Sequence, residues 1–154
     1  MLVQLLVGSL VSAIAIMIHA LATVGATGVA RAAGRRNALR PRLHLMSVMV
    51  ATMLVLMLAH TVEIVIWSLS YALVGAAPEG SDLLYFAFVN YTTLGYGDVT
   101  PVKAWQLLGP MAAMNGILMF GWSTAVLFEV LLKTIERLGA IAAPGTPFSA
   151  EDRG

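Results

Sequence analysis

Thr92-Thr93-Leu94-Gly95-Tyr96-Gly97-Asp98 is the stretch on which the reading of this chain turns. Two glycines separated by one tyrosine do not sit in an ordinary helix, and both have access to backbone angles that other residues avoid. Such angles let successive carbonyl oxygens point the same way. Just before this stretch lies a short apolar segment, Ser81 to Tyr91, with Ser81 as a fitting N-cap and Asp82 in the first turn. That segment is too short to cross a bilayer, which takes about 20 residues of helix. Just after it, Thr100-Pro101 leads into a long apolar run.

The surroundings say where such a segment can exist. Of 154 residues 59% are hydrophobic and only 11% charged, too little charge to cover a soluble surface of this size. Apolar runs from Leu2 to about Ala30, from Leu43 to Val74 and from about Ala104 to Leu132 are each long enough to span. Non-helical backbone at membrane depth is tolerated only where it is buried in protein or lines a water-filled cavity. The sequence therefore predicts an all-α membrane protein: an N-terminal transmembrane helix (1–30), a basic loop (31–42), and a pore domain (43–138). That domain holds an outer helix (43–74), a re-entrant pore helix (81–91), a filter (92–98) and an inner helix (104–138). The plainer alternative, a tight outer loop, leaves non-helical backbone at membrane depth without a reason.

Arginine sets the orientation. Arg31, Arg35, Arg36, Arg40 and Arg42 crowd the loop between the first two spans, and the positive-inside rule places that loop in the cytoplasm. The N-terminus then faces outside and the C-terminus returns to the cytoplasm, with Lys133 and Arg137 in agreement. A signal peptide over residues 1–30 is the competing reading, but its start lacks Lys and Arg and the basic residues follow the apolar run. The arginine cluster would also attract anionic lipid headgroups. The segment 139–154, with Pro144, Gly145 and Pro147, is expected to be a disordered tail. There is no cysteine, so neither disulfides nor thiolate metal sites arise. The compact build suggests a bacterial inner membrane, and nothing points to nucleic acid or to a cofactor.

The stretch Thr93-Leu94-Gly95-Tyr96-Gly97-Asp98 resembles the selectivity filter of potassium channels, usually Thr-Val-Gly-Tyr-Gly-Asp, with Leu94 in place of Val. The resemblance covers roughly Leu43 to Leu132, and the first span lies outside it. It implies a homotetramer in which backbone carbonyls of Thr93, Leu94, Gly95 and Tyr96 bind K+, with the Thr93 hydroxyl forming the innermost site. Rings of carbonyls of this kind replace the ion's hydration shell. Gly97 completes the filter, Thr92 and Asp98 support it, and Tyr96 braces it from behind. Two positions depart from the pattern. Val89 stands where some relatives carry a Glu that bonds to the Asp matching Asp98, and Phe86 stands where many have a Trp that does so. Tyr85 is the available substitute.

Gly116 and Gly121 match the glycine spacing of inner helices in such channels, which would make Gly116 a gating hinge; close helix packing explains it equally. After it, Ile117, Phe120, Thr124, Phe128 and Leu132 recur at helical spacing and would face the pore, unless the stripe packs against the second span. Phe128 or Leu132 rings could form an apolar gate that closes by dewetting. The pore-helix C-terminus would bring about half a negative charge to the cavity, and Glu79, Asp82 and Asp98 would gather cations at the mouth.

His60 and Glu63 lie one helical turn apart on the second span, on a face continued by Trp67 and Tyr71. An ionisable pair within a span is costly unless partnered. It reads first as a hydrogen-bonded brace, second as a pH sensor. A metal site would need a third ligand, and none is apparent in the sequence. The absence of a nucleophile beside the pair argues against an intramembrane enzyme. The absence of an arginine-bearing span argues against voltage sensing. A poorly selective cation channel of the same fold and a non-conducting modulatory subunit are the remaining alternatives.

Overall fold

The computed structural model describes residues 1–33 and 40–142. Its order is α1 (Leu2–Ala33), α2 (Pro41–Val74), α3 (Leu83–Tyr91), a single 3-10 turn (Lys103–Trp105) and α4 (Leu108–Ala142). The described residues contain no strand. The helices α1, α2 and α4 are all long and apolar enough to cross a membrane. Arg35, Arg36 and the tail from residue 143 onward lie outside the described residues.

Each long helix buries a narrow stripe and leaves large apolar side chains outside. On α1 the stripe is Gln4, Gly8, Val11, Ala15, His19 and Ala26, while Leu2, Leu6, Leu10, Met17, Leu21 and Val24 stay exposed. Small and polar residues at the contact with bulky residues outside is the arrangement expected where lipid is the solvent. α1 and α4 run parallel with a nearly constant offset. Gln4 meets Leu107, Gly8 meets Met111, and His19 meets Ser123. α2 runs antiparallel to both and supplies Trp67 and Tyr71 to a core that also holds Phe86, Tyr91, Leu108 and Met119. A second cluster joins α2 to α4 further along, through Val48, Leu56, Val126 and Val130.

Several boundaries differ from the sequence expectation, each for a local reason. Pro41 opens α2 at its first position, where its missing N–H costs nothing. Gly75 ends α2 in the left-handed conformation, φ 62°, a cap that glycine provides at little cost. The pore helix is capped by Asp82 rather than Ser81. The Asp82 carboxylate accepts hydrogen bonds from the Leu84 and Tyr85 amides, both at 3.0 Å. The inner helix begins at Leu108, later than expected, because residues 103–105 form the 3-10 turn first. Its Pro110 falls in the first turn, where an amide donor is not needed. At its other end α4 continues through Gly139 to Ala142 instead of giving way to a disordered tail. One glycine costs a helix only about 1 kcal/mol, and alanine and isoleucine follow it.

Candidate functional site

The re-entrant segment is built from its helix downward. α3 places Tyr91 at its C-terminal end. The chain then turns sharply, with the amides of Thr92, Thr93 and Leu94 donating to the carbonyls of Phe88, Asn90 and Val89 at 2.9, 3.0 and 3.0 Å. These bonds satisfy helix-end carbonyls that would otherwise be stranded. Beyond the turn the backbone alternates. Thr93, Gly95 and Gly97 have φ of 61°, 60° and 78°, while Leu94 and Tyr96 between them are not in the positive region. Alternation of left- and right-handed residues turns successive carbonyls to one side. Thr93 is the sole non-glycine residue with positive φ among those described, a strained conformation for a β-branched residue.

All of residues 92–98 are exposed on the single chain, Leu94 at 53% and Tyr96 at 67%. The outer end of this segment is held by Tyr85, whose hydroxyl donates to Asp98 Oδ2 at 2.7 Å. That bond holds the Asp98 carboxyl below its ordinary range and pushes the Tyr85 hydroxyl up. Tyr85 thus takes the place that Phe86 and Val89 leave open; both of those are buried in the core, Phe86 with its ring 5.0 Å from that of Tyr71. A further tie, from the Val102 amide to the Ala76 carbonyl at 2.9 Å, pins the outgoing chain to the loop after α2.

Gly116 lies against the pore helix. A Cβ there would overlap the Tyr91 carbonyl oxygen, whereas one on Gly121 would meet nothing within 4 Å. Gly116 is a close-packing position. Ile117, Phe128 and Leu132 are exposed at 59%, 61% and 45%, and Thr124 is exposed as well. Apart from Phe120, the stripe therefore does not pack against the second span; Met119, Ser123, Val126 and Val130 do that work on the buried face. Phe120 is divided: 39% exposed, with its ring against His60 at 4.6 Å and Tyr91 at 5.7 Å.

His60 and Glu63 do not stand alone. His19 of α1, fully buried, bonds through Nδ1 to Glu63 Oε1 at 2.8 Å. The Tyr91 hydroxyl donates to Glu63 Oε2 and lies 3.1 Å from His60 Nδ1. Ser123 of α4 completes the set, its Oγ 2.9 Å from His60 Nε2 and 3.3 Å from His19 Nε2. So the third group that was not apparent in the sequence exists, and it comes from the first span. A lone histidine in an otherwise uncharged span was the available signal for His19. For Tyr91 and Ser123 the sequence offered none.

A family model described as ion channel matches residues 44–133, more than half of the chain. The chain belongs to the ion-channel family. This ion channel is accordingly an all-α, multi-pass membrane protein, of a family that is generally oligomeric. The match covers α2, α3, the 92–98 segment and most of α4, and α1 lies outside it. Neither the curated proteins nor the solved structures yield a match.

Proposed function

We propose that this ion channel is potassium-selective and conducts K+ passively through four copies of the 92–98 segment arranged about one axis. The observation that carries this reading is the alternating backbone at Thr93, Gly95 and Gly97. One chain supplies a single file of carbonyls, and a ring needs several. The carbonyls of Thr93, Leu94, Gly95 and Tyr96 bind the ion, with Gly97 allowing the chain to leave the axis. Thr92 anchors the inner end, its hydroxyl donating to the Phe88 carbonyl at 2.7 Å, and Asp98 anchors the outer end. Exposure of an apolar Leu94 and of Tyr96 on one chain supports the same reading, since neighbouring copies would cover them.

The exposed stripe Ile117, Phe120, Thr124, Phe128 and Leu132 lines the inner cavity, and Phe128 with Leu132 is its narrowest apolar part. Bending at Gly116 is constrained by its contact with Tyr91, so the inner helix moves together with the base of the pore helix. Arg40 and Arg42, both exposed, stand at the opposite end from the filter. With that end in the cytoplasm they meet anionic headgroups, and the N-terminus and the filter mouth face outside.

The test is flux of K+ against Na+ through purified protein in liposomes, with Gly95→Ala as control. An alanine at φ 60° costs about 1–2 kcal/mol and places a methyl group in the carbonyl file. K+ flux far above Na+ flux, lost in the control, is the expected result. Equal fluxes would point to a non-selective cation channel. Flux unaffected by Gly95→Ala would remove the 92–98 segment from the conduction path.

A further inference from the structure

The five side chains behind the filter close into a ring. Its links are Glu63 Oε1 to His19 Nδ1, His19 Nε2 to Ser123 Oγ, Ser123 Oγ to His60 Nε2, His60 Nδ1 to Tyr91 Oη, and Tyr91 Oη back to Glu63 Oε2. Each member stands between two links: the imidazoles and the carboxyl use both of their polar atoms, and each hydroxyl uses its one oxygen twice. Three of the donor atoms lie within 4.8 Å of one another, as metal ligands would. Here, however, each is already engaged with a neighbour in the ring, so the arrangement calls for hydrogens rather than a metal.

The hydrogens can be counted. Five links need five. Ser123 and Tyr91 bring one each, two neutral imidazoles bring one each, and an ionised Glu63 brings none. The ring is one hydrogen short. With four, some link becomes two lone pairs facing each other in a buried site, which costs free energy. With five, every link is made and the ring carries no net charge, whether the added proton is drawn on an imidazole or on the carboxyl. That condition suits a ring lying near the middle of all three spans, where net charge is expensive. No other titratable group faces it among the described residues. α1 presents only His19, α2 presents His60 and Glu63, α3 presents Tyr91, and α4 presents the neutral Ser123 beside the rings of Phe120 and Trp122.

We propose that this ring is a binding site for one exchangeable proton, shared among His19, His60 and Glu63, and that the bound proton clamps α1 and α4 to the base of the filter. The clamp acts through Tyr91, the residue immediately before Thr92. Its effect on conduction, as distinct from the proton site itself, rests on the channel function proposed above.

One substitution removes the need for the proton without removing the fold. Glu63→Gln brings an amide hydrogen into the ring, so five links are filled with both imidazoles neutral. The experiment is nitrogen-15 NMR of histidine-labelled full-length protein in lipid nanodiscs, with infrared detection of a protonated carboxyl. At neutral pH the wild type is expected to hold one proton more than two neutral imidazoles and a carboxylate, and to release it in one step on alkalinisation. Glu63→Gln is expected to show neither the extra proton nor the step. An ionised Glu63 beside two singly protonated imidazoles at neutral pH would overturn the proposal, as would a step that persists in Glu63→Gln. A proton retained until the protein unfolds would overturn its exchangeable role. In parallel, K+ flux in liposomes is expected to change severalfold across the same step in the wild type alone. Flux indifferent to that step would overturn the coupling and leave the proton site standing. Absence of all flux would count against the conduction proposal, while the proton count would still be decided by NMR.

Discussion

The Tyr85 hydroxyl donates a 2.7 Å hydrogen bond to Asp98 Oδ2, joining the first turn of α3 to the far end of the 92–98 segment. Both ends of the re-entrant segment are thereby fixed within one chain, since Thr92 at the inner end is tied back to Phe88.

Tyr85→Phe removes the outer tie while keeping the ring. We expect K+ flux that starts normally and then declines several times faster than in the wild type, measured as the time course of flux into liposomes. Flux as sustained as the wild type's would show that Asp98 needs no brace.

The same bond has a defined pH window. Asp98 is an acid held below its ordinary range by the Tyr85 hydroxyl, so the bond's contribution is present above the unfolded-state value. It is lost only as pH falls through the lower folded value. Tyr85 is raised, so its hydroxyl keeps its proton through neutral and mildly alkaline conditions. Filter stability attributable to this pair should therefore be flat from about pH 5 to about pH 9, falling in stronger acid as Asp98 gains a proton and in stronger alkali as Tyr85 loses one. Sustained-flux measurements across that range in the wild type, with Tyr85→Phe for reference, check the sign.

Gly116→Ala and Gly121→Ala should behave differently despite their matching appearance in the sequence. The first drives a methyl group into the Tyr91 carbonyl and should destabilise the protein by about 1–3 kcal/mol, the usual cost of overpacking. The second enters open space and should be nearly neutral. Thermal unfolding in detergent compares them directly, and equal midpoints would refute the contact.

At Asp82 capping and charge can be separated. Asp82→Ala should cost about 1 kcal/mol through loss of the cap. Asp82→Asn keeps an acceptor and should retain the stability while removing the mouth charge. If both variants lost stability alike, the carboxylate charge rather than the cap would be the source.

The spans and the non-helical backbone of 92–98 were legible in the sequence because their determinants are local. Gly95 and Gly97 permit a backbone that few other residues allow, and run length alone marks the spans. Tyr85 was legible as well, lying on the pore helix within reach of Asp98. The ring was only half legible. His60 and Glu63 share a helix turn, but His19 lies 44 residues from Glu63 and 104 from Ser123, and only helix packing brings them together. Gly116 could be read as hinge or contact, because spacing does not reveal what a missing Cβ would strike.

Gln4 has a consequence for how the chain is made. Its side-chain oxygen accepts the Leu107 amide at 3.0 Å, at the point where α4 begins and the amides have no partner within the helix. The acceptor is synthesised 103 residues before the donor. During synthesis α1 therefore emerges long before the helix end that it completes. The opening of the last helix is thus completed by a residue of the first, so shortening the chain from its N-terminus would leave the start of α4 without this acceptor.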